Sequence, residues 1–139
     1  MTRQQSDLFA LIGRILMSLI FIMSGFNKLL GPANTIQHIA ADGLPLPPAA
    51  YVVAVLCELG GGLAILLGWQ TRIAAAALSL FCLVTALAVH FQPGASGQMV
   101  NFWKNITMAG GFLYVVAHGA GAWSLDAWLR TRRRVVRHA

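Results

Sequence analysis

The sequence predicts an all-α fold: a four-transmembrane-helix bundle with an outer loop helix and a C-terminal amphipathic surface helix. Three observations carry this expectation. Hydrophobic residues make up 58% of the chain, charged residues only 10%, and the mean hydropathy is +0.69, whereas a soluble domain is about one quarter charged. Four apolar stretches, at about 8–30, 50–68, 73–91 and 102–121, each approach the roughly 20 residues needed to cross a hydrocarbon core of about 30 Å. The connections between them are short or rich in glycine, proline and polar residues, which punctuate helices. A chain of 139 residues built this way reads as one membrane domain.

The first span, Leu8 to Leu30, follows a short polar tail and is interrupted by Arg14 and, near its far end, by Ser24, Asn27 and Lys28. It is too long for the apolar region of a secretory signal, so it reads as a retained helix. Gly31-Pro32 ends it. Thr35 to Gly43 spells a short helix, with Ile36, Ile39 and Ala40 on one side and Gly43 as its stop. Leu44 to Pro48, LPLPP, cannot continue that helix, because proline lacks the N–H and restricts its predecessor. This apolar loop is expected on the outer interface or dipping back over the bundle.

The second span, Ala50 to Gly68, carries one charge near its middle, Glu58, followed by Gly60, Gly61 and Gly62. Trp69 to Arg72 is a tight turn that makes an antiparallel hairpin with the third span, Ile73 to Phe91. Its alanine run, Ala74 to Ala77, permits close packing. A polar loop, Gln92 to Asn101, leads to the fourth span, Phe102 to Gly121, which holds Lys104, Asn105, Gly110, Gly111 and His118. Ser124 is placed to cap a last short helix, and Asp126 in its first turn suits the helix dipole. Leu125, Trp128 and Leu129 can bury while the neighbouring arginines stay wet, so this helix is expected along the membrane surface.

The net charge of +6 and pI near 10.4 do not point to nucleic acid. Half of the ten basic residues fall at the very end (Arg130, Arg132, Arg133, Arg134, Arg137), where a basic run beside a span holds orientation and meets anionic headgroups. Four spans place both termini on one side, together with Arg3, Arg72 and the arginine tail, against Lys28 and Lys104 on the other. The positive-inside rule then puts both termini in the cytoplasm of a bacterial inner-membrane protein.

An acid within a span costs a few kcal/mol or more unless a partner or a wet cavity meets it. Counting about 1.5 Å per helical residue sets Lys28, His90, Lys104 and Asn105 within about one turn of the outer end. Glu58 falls somewhat deeper and Arg14 deeper still. Arg14 and Lys28 are fourteen residues apart and return to nearly one helix face. The expectation is a polar seam, with Glu58 between a basic outer rim and Arg14 beneath. Such a seam suits a proton path, a quinone headgroup site or a small-anion site. Its structural alternative is a charge pair that only fixes helix order.

Neither the cysteines nor the histidines form a metal signature. Cys57 and Cys82 lie in apolar stretches without a CxxC motif; a redox pair is conceivable, but buried inert thiols are the commoner case. His90 and His118 fall near opposite faces of the membrane, which argues against two-histidine haem ligation.

Several segments together resemble the DoxX family of small four-helix bacterial membrane proteins. They are RILMSLIFIMSGFNKL with Arg14, Gly25 and Lys28, the GLPLP loop, and CELGGGLAILLGWQTRIAA with Glu58, Gly62, Gly68 and Arg72. FWKNITMAGGFL with Lys104, Asn105 and Gly111, and the closing GAGAWSLD with Gly121, Ser124, Leu125 and Asp126, complete the set. The resemblance covers about Arg14 to Trp128. A proline is common in the family where Ala122 stands. Members include subunits of quinone-linked sulfur oxidoreductases and components of thiol-redox assemblies, and many have no assigned activity.

The resemblance therefore implies a membrane subunit of a redox system, with a redox partner protein and with quinone or a small sulfur compound as ligand. No covalently held cofactor is expected. On this expectation Glu58 carries a proton, Lys28 and Lys104 attract an anionic group, Asn105 and His90 line the same outer site, and Arg14 supplies the inner counter-charge. The alternatives are a non-enzymatic membrane anchor or assembly partner and, less favoured, a small transporter. The glycine and alanine faces permit a homodimer.

Overall fold

The computed structural model describes residues 2–137, with side chains through Arg133; the side chains of Arg134 and Arg137 in the basic tail lie outside the described residues. The helices are α1 (Arg3–Leu30), α2 (Pro32–Ala41), α3 (Pro47–Leu67), α4 (Thr71–His90), α5 (Gln98–His118) and α6 (Leu125–Arg137). Among the described residues there is no strand. Three helices, α1, α3 and α4, are long and apolar enough to cross a membrane. Helix α5 has 21 residues, but Asn101, Lys104 and Asn105 make its first two turns more polar.

Helix boundaries depart from the sequence expectation where local chemistry allows the helix to run on. The expected polar tail is helical from Arg3. Thr2 accepts from the Gln5 N–H and the Gln5 side chain accepts from the Thr2 N–H, a reciprocal cap that uses donors a helix start otherwise leaves unpaired. Helix α3 begins at Pro47, not Ala50, because proline in the first turn forfeits only an N–H that has no intrahelical acceptor. Pro32 opens α2 in the same way. Helix α5 starts at Gln98 and ends at His118, short of the expected Gly121, since Gly119 and Gly121 take φ of +80° and +78°.

Small residues set the spacing of the bundle. Gly25 of α1 lies on the α3 backbone, so closely that an added Cβ would sit 2.7 Å from the Leu59 nitrogen. Gly62 of α3 returns the contact, with a Cβ position 3.2 Å from the Ile22 nitrogen. Gly61 receives the Leu78 side chain of α4, and the buried Ser79 hydroxyl of α4 donates to the Ala109 carbonyl of α5 at 3.1 Å. Phe21 and Phe112 meet edge to face, with centroids 5.3 Å apart, and bring α5 against α1. The core is Phe21, Ile65, Ala75, Leu78, Cys82, Ala109 and Phe112.

The distribution of polarity is inverted relative to a water-soluble protein. Arg14, Ser18, Glu58, Thr71 and Ser79 are buried, whereas Leu16, Met23, Leu80 and Leu87 are each more than 60% exposed. Broad apolar faces of this kind are unfavourable in water and appropriate against acyl chains, where polar groups turn inward.

Candidate functional site

The ionisable residues within the spans do not form one seam. They form two centres, one toward each end of the bundle. At the first, Lys28 of α1 meets Glu58 of α3. The ammonium nitrogen lies 2.8 Å from Glu58 Oε2 and donates to Oε1 at 3.1 Å; the contact with Oε2 is an ion pair without hydrogen-bond alignment. Lys28 also donates to the Ser24 hydroxyl at 2.9 Å, one turn back on the same helix. Tyr51 of α3 donates from its phenol to the Lys28 carbonyl at 3.3 Å. Glu58 is 8% exposed, and this is the one ion pair within 4 Å among the described residues.

Two local features place the carboxylate. Residues Leu56–Gly60 form a π-helical turn inside α3, an inserted geometry that rotates side chains relative to a regular helix and recurs at functional sites. Gly25 lies against Leu59, so α1 approaches the turn closely enough for Lys28 to reach its neighbour Glu58. Helix α3 also extends past the level of Lys28, as the Tyr51 contact shows. Lys28 therefore sits beside Glu58 rather than above it.

The remaining expected site residues take other partners. Lys104 is exposed and has no ion-pair partner among the described residues. Asn105 donates to the Asn101 carbonyl at 3.1 Å and accepts from the Thr85 hydroxyl at 3.4 Å, joining α5 to α4. His90 pairs through Nδ1 with Gln98 Oε1 at 2.8 Å. His118 sits at the other end of α5, bonded to the Tyr114 carbonyl. Cys57 and Cys82 are free thiols, and no group of three or more metal-ligating side chains occurs among the described residues.

Arg14 belongs to the second centre. Fourteen residues of helix separate it from Lys28, about 21 Å along the axis, so a shared face does not bring both to Glu58. Its guanidinium is buried, donates through Nη2 to the Trp123 carbonyl, and packs against Gly68, which Ser124 also approaches. Asp126 lies in the first turn of α6, where its charge suits that helix's dipole as expected, and it also caps α4. One carboxylate oxygen accepts from the Gln70 N–H at 2.9 Å, the other from the Thr71 N–H at 2.9 Å and the Thr71 hydroxyl at 2.7 Å. The Asp126 N–H returns a bond to the Gly68 carbonyl at 2.9 Å. Asp7 of α1 accepts from the Ala122 N–H at 2.8 Å. Ser124 caps α6, accepting from the Ala127 N–H at 3.2 Å.

Burial alone would raise the Asp126 pKa, but the bonds from Thr71 and Gln70 and the charge of Arg130 outweigh it and hold the carboxyl below its ordinary value. A depressed folded-state pKa contributes stability that is present above the unfolded-state value and lost as pH falls through the folded one. Acidification below the ordinary carboxylate range is therefore expected to loosen α6 from the bundle. The check is hydrogen exchange of α6 amides against pH. Asp126→Asn should show the loosened pattern already at neutral pH and lose that acid dependence.

Buried charges, an apolar exterior and helices of membrane-crossing length define a small helical membrane protein. The chain belongs to the DoxX family, whose profile matches residues 9–91. It is 40% identical to Inner membrane protein YqjF of Escherichia coli over 133 residues, covering 94% of this chain and 98% of that protein. It is also 40% identical to Inner membrane protein YphA of the same organism over 121 residues, covering 84% and 86%. A Bacillus subtilis protein named "Putative oxidoreductase CatD" is 32% identical over 92 residues, covering 66% and 67%. No solved structure matches.

Proposed function

We propose that the protein is an inner-membrane subunit of a redox system and that the Lys28–Glu58 centre is its ligand site, taking a quinone or a small sulfur compound. The observation that carries this reading is a carboxylate, 8% exposed, held on a π-helical turn by one lysine inside the membrane region. Intramembrane ionisable groups commonly serve transport or proton exchange. Glu58 Oε2 is buried against the ammonium, without an aligned hydrogen-bond donor, so a quinol hydroxyl or a thiol that enters beside Lys28 can donate to it. Lys28 stabilises the anionic form of either. The Bacillus relative's name points to the same class of chemistry.

In this reading α5 is the fourth span. The Arg3 end of α1, Arg72 and α6 then face the cytoplasm, and Lys28 and Lys104 face outward, as the positive-inside rule directs. A redox partner protein delivers to the quinone the two electrons released as two thiols become a disulfide; the quinone gains two protons as it becomes the quinol, and Glu58 relays one of them. A second reading, a non-enzymatic anchor, is favoured by the way Lys28 and Glu58 satisfy one another. Quinone-dependent oxidation of a thiol donor by membranes carrying the full chain separates the two. Glu58→Gln should lower turnover at least about tenfold if the carboxylate is the proton carrier, with the folded fraction unchanged. Wild-type turnover in that variant would leave the anchor.

A further inference from the structure

The inner end of the bundle carries a cleft beside the Arg14 joint, whose Gln70, Thr71 and Asp126 form part of its wall. It lies between the start of α4 and the first turns of α6, with a volume of about 280 Å³. Arg72 lines it from α4, and Arg130 and Arg133 line it from α6; Asp126 is in its wall, with Ile73 and Leu129 as apolar lining. We propose that this cleft binds the headgroup phosphate of one anionic phospholipid.

The charge balance favours an anion. Asp126 is the one acid in the lining, and its oxygens are taken up by the Gln70 and Thr71 donors. No arginine stands within ion-pair distance of it among the described residues. Three guanidinium groups against one carboxylate leave a local charge of about +2, by formal charges. Arg72 spends one donor on the Ala117 carbonyl at 3.3 Å, which fixes the side chain and leaves other N–H groups of its fork available. Guanidinium forks match phosphate oxygens in geometry as well as charge.

The surroundings favour a lipid over a free ion. Trp69, Trp123 and Trp128 flank the region, each about half exposed, and tryptophan marks the headgroup level of a membrane protein. Ile73, 69% exposed, stands on the span side, where an acyl chain leaving the headgroup would lie. Arg132 is turned elsewhere: its guanidinium stacks on the Trp128 ring at 4.1 Å. The cleft is thus distinct from a diffuse basic surface, because one arginine of the same helix is excluded from it.

Native mass spectrometry of the full chain in mild detergent, titrated with phosphatidylglycerol or phosphatidylcholine, tests this. One phosphatidylglycerol is expected to remain per chain in preference to phosphatidylcholine. The double variant Arg130→Gln, Arg133→Gln should weaken that adduct on the order of tenfold, and Arg72→Gln should weaken it independently from the other helix. Arg132→Gln should leave it within about twofold, since that side chain carries only general surface attraction. Circular dichroism confirms that each variant keeps its helices. Equal weakening by Arg132→Gln, no weakening by the cleft variants, or displacement of the lipid by inorganic phosphate would each overturn the proposal.

Discussion

Lys28→Met is expected to lower stability by about 3–5 kcal/mol, the usual cost of removing one partner from a buried ion pair. Glu58 cannot escape the consequence. Its side chain is 10% exposed, it sits within a helix, and it has only two methylenes with which to seek water. Glu58→Leu should cost less. The abandoned Lys28 is 25% exposed in its side chain, lies near the end of α1, and has a four-carbon stem that can carry its ammonium to the headgroup region. Combining Lys28→Met with Glu58→Leu removes both charges and should recover much of the loss, through a coupling of about 3 kcal/mol between the two positions. Unfolding in mixed micelles or bicelles measures all three variants. Equal costs for the two single variants would mean that Lys28 is fixed as firmly as Glu58.

That asymmetry also separates a structural pair from a working one. A pair kept only to order helices is replaceable by apolar side chains of similar volume, so the double variant would be both stable and functional. A pair kept for proton exchange leaves the double variant stable and inactive. The proposed function predicts the second combination, and Gly25 shows why stability alone does not decide between them. The close approach of α1 and α3 at Gly25 and Gly62 holds the helices together without help from the charges.

The existence of the helices was legible in the sequence because long apolar runs have few alternative structures in a membrane. The loop helix α2 and the surface helix α6 were legible from their stop and cap residues. The pairing of the charges was less so. Depth counting assumes that spans begin level. Helix α3 instead starts on two prolines and extends past Lys28, which makes Lys28 the partner of Glu58 and leaves Lys104 on the surface. The π-helical turn at Leu56–Gly60 further rotates Glu58, and no residue pattern announces it. Arg14 and Lys28 do share a face, but face alone says nothing about distance along the axis. Asp126 does stand in the first turn of its own helix, but the sequence gives no sign of its second role as a cap for another helix. Its hydrogen-bond partners, Gln70 and Thr71, are more than fifty residues away, and only the closed bundle brings them together.

Gly68→Ala tests the Arg14 joint most severely. Gly68 ends α3 at φ +67°, a left-handed conformation that costs a side-chain-bearing residue about 1–2 kcal/mol. The added Cβ would also meet the Ser124 Cβ at 2.5 Å and collide with Arg14 Nη1. Arg14 has no free path to yield, being buried at 3% exposure and bonded to the Trp123 carbonyl. Overpacking of this kind adds about 1–3 kcal/mol, so a total loss of about 2–5 kcal/mol is expected from one methyl group. Gly60→Ala provides the contrast. Its Cβ would meet nothing within 4 Å, and alanine is the better helix former, so stability should hold or rise. If Gly68→Ala acts through the joint, hydrogen exchange will rise first in α6 and at the start of α4, where Asp126 caps Gln70 and Thr71, while the Lys28–Glu58 end stays protected. Uniform loss of protection along α1 and α3 would show instead that the two ends of the bundle unfold as one unit.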